Sequence, residues 1–187
     1  VGMNLQDLVL GTVKDQLADK IGASTGADGG QVSDVIEAAL PDILKGLQKN
    51  TSSSSGAEAL DSAITKDHDG SLLDSLGSLF GGSDSNSDGG KILDHVLGQA
   101  RTKVEQQASK KSGVDIATVA KILTFVAPLV LAYLGRQKKH DSLDSGGLQD
   151  MLQKQDVKGG LLDMAKDFID KNNDGSVVDD VLGMLKK

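Results

Sequence analysis

The chain repeats itself, and that self-match constrains its fold more than any other feature. At a fixed offset of 87 residues, Leu5-Gln6-Asp7-Leu8-Val9-Leu10-Gly11 falls on Ile92-Leu93-Asp94-His95-Val96-Leu97-Gly98. In the same register Leu17 meets Val104, Gly26 meets Gly113, Val32 meets Val119, Pro41 meets Pro128 and Leu47 meets Leu134. A second match, Ile64 to Asp74 on Ile169 to Asp179, runs at an offset of 105. The difference is an 18-residue insertion in the second copy, near residues 137–154, where the polar stretch RQKKHDSLDSGG lies. A repeat of this length points to one supersecondary unit used twice.

Each copy carries the same parts. Leu5, Leu8, Val9, Val13, Leu17 and Ile21 fall at i, i+3, i+4 spacing, as do Ile92, Val96, Ala100 and Val104, which predicts a long amphipathic helix at the start of each half. A second helix follows, over Val32 to Leu47 and Ile116 to Leu134, with a proline inside it. An interior proline removes a backbone hydrogen bond and bends or splits a helix. A short helix (Ala57 to Ile64; Leu161 to Ile169) leads into an Asp/Asn-Gly loop, and a last short helix (Leu72 to Phe80; Val177 to Leu185) closes the unit. No segment alternates with period two, so the expected fold is all-α: a helical bundle of two tandem homologous halves. Val1 and Gly2 precede Met3 and read as a cloning remnant. Residues 3–80 form the first half, 81–89 a flexible Gly/Ser linker, and 90–187 the second half with its insertion.

The segments ALPDILKGLQKN (39–50), DHDGSLLDSL (67–76), DGGKILDHVLG (88–98), VAPLVLAYLGRQ (126–137) and NNDGSVVDDVLGML (172–185) resemble a bacterial family of unknown function termed YidB-like. The resemblance covers nearly the whole chain. It implies a small helical bacterial protein, with no established activity and no catalytic residues to carry over.

Of the 27 acidic residues, 24 are Asp and three are Glu, against 18 Lys and two Arg, for a net charge of -7. That balance offers no broad basic footprint for nucleic acid. There is no Cys, hence no disulfide, no thiolate zinc site and no Cys nucleophile. Asp is a poor mid-helix residue because its short side chain competes for the backbone. The bias toward Asp therefore places acids at helix starts and turns, or on a cation.

The cation reading rests on Asp170-x-Asn172-x-Asp174-Gly175-Ser176, which supplies positions 1, 3, 5, 6 and 7 of an EF-hand-type calcium loop. Position 12, where a bidentate Glu is expected, is Val181, so Asp179 would have to serve in a shortened loop. A weaker copy uses Asp67, Asp69, Ser71 and Asp74. Against this, Ser71-x-x-Asp74 and Ser176-x-x-Asp179 are capping boxes that need no ion. Ca2+ is thus the one candidate cofactor.

His68, His95 and His140 are scattered and lie in no HExxH or nucleophile-elbow context. Arg136 to His140 reads as a solvated helix end. The most apolar run, Ile122 to Leu134, has 13 residues where a membrane span needs about 20, which predicts a buried central helix. Without a visible signal peptide, the expected location is the cytoplasm. The leading expectation is a non-enzymatic protein acting through a protein partner or as a homo-oligomer, without nucleic acid or membrane. A calcium-responsive module is the alternative, and a metal-dependent hydrolase is a third.

Overall fold

The structure is a computed structural model, and it describes residues 4–67, 70–74, 80, 84–155 and 157. Every regular element among them is helical, so the chain is all-α. The expected helices over 161–169 and 177–185 lie outside the described residues.

The first amphipathic segment forms α1 (Leu5–Thr12), a single π turn (Val13–Leu17) and α2 (Ala18–Thr25). Asn4 caps α1 by accepting from the Gln6 N–H at 3.0 Å. The predicted stripe is buried along its length: Leu5, Val9, Val13, Leu17 and Ile21 all lie in the core. α2 stops at Gly26, whose φ of +86° suits a residue without a side chain. Asp28 then opens α3 (Gly29–Asn50) with a full capping box: its Oδ1 accepts from Gln31 N–H, and the Gln31 side chain accepts from Asp28 N–H. The acid at this helix start is therefore the cap itself. Pro41 lies inside α3 and is buried.

Two short helices follow, α4 (Ser54–Asp67) and α5 (Ser71–Asp74). Next come α6 (Asp84–Leu97), a 3-10 turn (Gly98–Ala100) and α7 (Arg101–Ser112). Asp115 caps α8 (Ile116–Asp141) through a 2.9 Å bond from Thr118 N–H. Asp144 caps α9 (Ser145–Gln153).

The expected linker and the expected polar insertion both contain helix among the described residues. Within 81–89, residues from Asp84 onward already belong to α6, so Asp88-Gly89-Gly90 is mid-helix and not a turn. Leu93 and Val96 anchor that helix in the core, and Gly89 lets its backbone meet α8. Within 137–154, α8 continues to Asp141 and α9 follows after three residues. The reason is visible in α9: Leu148 and Leu152, one turn apart, are fully buried, so the polar stretch hides an apolar face. In α6 and α7 the buried face uses Leu93, Val96 and Val104; Ile92 and Ala100 are only partly covered.

One hydrophobic cluster joins residues from Leu5 to Val157, so the described residues share a single core. α8 runs through it, with Leu123, Val126, Leu129, Val130 and Leu134 all inaccessible. At 26 residues it has the length and apolarity to cross a membrane, and 67% of its most apolar stretch is buried against the other helices. α3 packs principally on α7, and α6 principally on α8. Several local devices recur 87 positions apart. Gly113 ends α7 at φ +72° as Gly26 ends α2. Asp115 caps α8 as Asp28 caps α3. Ser112 Oγ donates to Ala108 O at 2.6 Å as Thr25 Oγ1 donates to Ile21 O at 2.8 Å.

Candidate functional site

The first Asp-Gly loop is described in part. Asp67 is the last residue of α4 and Ser71 the first of α5. Gly70, at φ +94°, sits against the backbone of Arg136, where a Cβ would lie 3.1 Å from its nitrogen. Asp74 turns to the same residue: its Oδ1 accepts from Arg136 Nη2 at 2.5 Å. This engages one of the four expected ligands with a cation of the protein itself. Asp69 lies outside the described residues, as do Asp170, Asn172, Asp174, Ser176 and Asp179 of the other copy. Among the described residues no three carboxylates or imidazoles converge as metal ligands would.

The basic run Arg136 to His140 is not simply a solvated end. Lys138 Nζ sits 2.5 Å from Asp61 Oδ1 and donates to Thr65 Oγ1 at 2.8 Å, which ties α4 to the last turns of α8. His140 Nδ1 lies 2.7 Å from Asp141. That contact, with a second from Gln137, holds the Asp141 carboxyl below its ordinary range. A second cluster surrounds Arg101, which bonds Glu105 (2.8 Å), Asp94 (2.6 Å) and the Gly90 carbonyl (3.2 Å). Burial works against its charge, but the Glu105 and Asp94 hydrogen bonds outweigh it and raise the guanidinium pKa. Arg101 thus joins Asp94 of α6 to Glu105 of α7. Both clusters fix helices against one another.

The described residues also form a concave apolar site, assembled from segments far apart in the sequence. A cleft of about 390 Å³ opens between α3, α4, α6 and α8. Its deep walls are Leu47, Val96 and Leu131, with Leu60 and Ile92 half-buried nearer the mouth. Gly56, Ala59 and Ala63 of α4 leave the space, being too small to fill it. The polar groups are few and sit at the edge: Asn50, Lys91 and His95. Asn50 Nδ2 donates to the His95 carbonyl at 3.1 Å, so it pins the rim by joining α3 to α6. The Lys91 ammonium and the His95 ring face solvent. Apolar walls with a few convergent polar groups are the usual form of a small-ligand site, and the volume falls within the ordinary range of about 300–1,000 Å³. The sequence signal was the small-residue spacing 56, 59, 63 on one face of α4, which is visible only once Ile92 and Val96 are known to lie opposite.

Neither the curated proteins nor the solved structures gave a match. Residues 7–137 match the model of a family described as "Bacterial protein of unknown function (DUF937)". That span runs from α1 almost to the end of α8 and takes in most of the chain, including both proline-containing helices and every wall of the cleft, and the chain belongs to this family.

Proposed function

We propose that the chain is a tandem duplicate, with a proline-bent helix in each half, that works by protein–protein contact rather than by catalysis, and that self-association is the form this contact takes. The recurrence of Gly26 as Gly113, Asp28 as Asp115 and Pro41 as Pro128 supports the duplication. The observation that carries the functional reading is the interlocking of the halves. α3 of the first half packs on α7 of the second, so part of each half's apolar face is covered by a helix of the other. Homologous halves that complete one another within a chain offer the same faces to a second copy, and exchange of such elements is a low-cost route to dimers. Light scattering across a concentration series tests this. A mass that rises toward twice the chain mass of 19.4 kDa is expected, and a strict monomer throughout overturns self-association.

Calcium at Asp170, Asn172, Asp174, Ser176 and Asp179 is a second proposal, supported by the ligand spacing alone. Calorimetric titration of the wild type beside Asp174→Ala tests it, and no heat in either removes it.

A further inference from the structure

The cleft has two properties that together define a ligand class. Its interior is apolar, walled by Leu47, Leu60, Ile92, Val96 and Leu131, and it is large enough to enclose an alkyl chain. Its mouth carries Lys91 and His95, one turn apart on α6, in a protein whose net charge is -7. The Lys91 ammonium at the mouth of an apolar cleft favours a ligand that is apolar at one end and anionic at the other. Apolar walls alone would not reject a neutral or cationic amphiphile, whereas the rim repels a cationic head group.

The rim cation is available for this. Among the described residues Lys91 pairs with Asp88, at 3.5 Å and one turn away, with both side chains mostly exposed. Contacts of that kind contribute little and exchange freely. The His95 ring makes no hydrogen bond among the described residues; only its backbone carbonyl is engaged, by Asn50. The walls are set by residues that also belong to the core, so the site is largely preformed: Leu47 is 1% exposed and Leu131 3%.

We infer that this cleft binds a single-chain anionic amphiphile of the fatty-acid class, with its alkyl tail along α4 and its head group at Lys91 and His95. The site is independent of the self-association reading, since neither needs the other.

Calorimetric titration of the full chain with sodium decanoate, kept below its micelle concentration, tests the inference, with decyltrimethylammonium as the opposite-charge control. Saturable decanoate binding is expected, with the cationic amphiphile at least about tenfold weaker. Ala59→Phe fills the cleft and should abolish binding. Lys91→Glu is a surface change that leaves the walls intact and should weaken decanoate by about tenfold. Circular dichroism melts of both variants establish that they fold; if Ala59→Phe does not, Lys91→Glu and the cationic control still decide. Absence of decanoate binding overturns the inference. Binding unaffected by a folded Ala59→Phe does so too, since the ligand would then lie elsewhere. Equal affinity for the two amphiphiles, or no effect of Lys91→Glu, overturns the head-group assignment.

Discussion

Gly89 of α6 lies against the backbone carbonyl of Thr124 in α8, so close that a Cβ at position 89 would overlap the carbonyl oxygen. The next residue, Gly90, has open space where its Cβ would be. Glycine costs a helix interior about 1 kcal/mol relative to alanine, so both positions forgo stability on propensity alone. Only Gly89 has a reason to do so. Gly90→Ala is expected to raise the unfolding free energy by up to about 1 kcal/mol. Gly89→Ala should lower it by about 1–3 kcal/mol, because backbone does not yield as a side chain would. Urea melts of the two variants check the contrast, and effects of the same sign would sink the close α6–α8 crossing.

Gly26 and Gly113 end α2 and α7 in the left-handed region, and neither has a neighbour that a Cβ would strike. Any penalty for alanine there is therefore conformational. Left-handed backbone costs a residue with a side chain about 1–2 kcal/mol. Gly26→Ala and Gly113→Ala should each destabilise by that amount, and by similar amounts if the two turns are equivalent. A gain in thermal stability at either site would show that the turn is not left-handed in solution.

Asp115 gives a pH signature. The Thr118 backbone N–H bonds to its carboxylate and holds its pKa below the ordinary value of 3.8. A carboxyl depressed in the folded state contributes stability that is present above the unfolded value and is lost as pH falls through the folded one. Titration of the Asp115 carboxyl by carbon NMR should give a midpoint below 3.8. Asp115→Asn keeps a capping oxygen without the titration, so its stability should fall less steeply with acid. A midpoint at or above the ordinary value would refute the cap as described. At Asp28, which caps α3 with Gln31 in return, Asp28→Ala should cost about 1 kcal/mol.

Much of the helical order was legible because it is written in local spacing. Leu5, Val9, Val13, Leu17 and Ile21 announce a buried stripe without knowledge of any neighbour. What was misread depended on partners distant in sequence. The 81–89 stretch is rich in Gly and Ser and reads as a linker until Thr124 is placed against Gly89. The 137–154 stretch reads as polar until Leu148 and Leu152 are seen to share a buried face, and until Gln48 Nε2 is seen to donate to the carbonyls of Leu152 and Gln155 at 2.7 and 2.9 Å. The cleft was illegible for the same reason: Ala59 on α4 and Ile92 on α6 face each other across more than 30 residues of chain. Of the Asp-rich local motifs, Asp74 pairs with Arg136.

The ion pair between Lys138 and Asp61 joins the end of α8 to α4. Both side chains are mostly covered, at 18% and 25% exposure, whereas the Lys14–Glu37 pair is open at 47% and 61%. Exposed pairs contribute up to about 1 kcal/mol, since water and salt screen them and two long side chains lose freedom. Breaking a covered pair costs more, because the remaining charge keeps its desolvation without its partner. A double-mutant cycle of Lys138→Met with Asp61→Leu should therefore return a coupling of about 1–3 kcal/mol, between the exposed and buried limits. The Lys14–Glu37 cycle should return less than about 1 kcal/mol and fade in 1 M salt, where the screening length is about 3 Å. If the Lys138–Asp61 coupling is the smaller of the two, the basic end of α8 does not hold α4. The cleft wall built by Ala59 and Ala63 would then lack its fixed position beside α8.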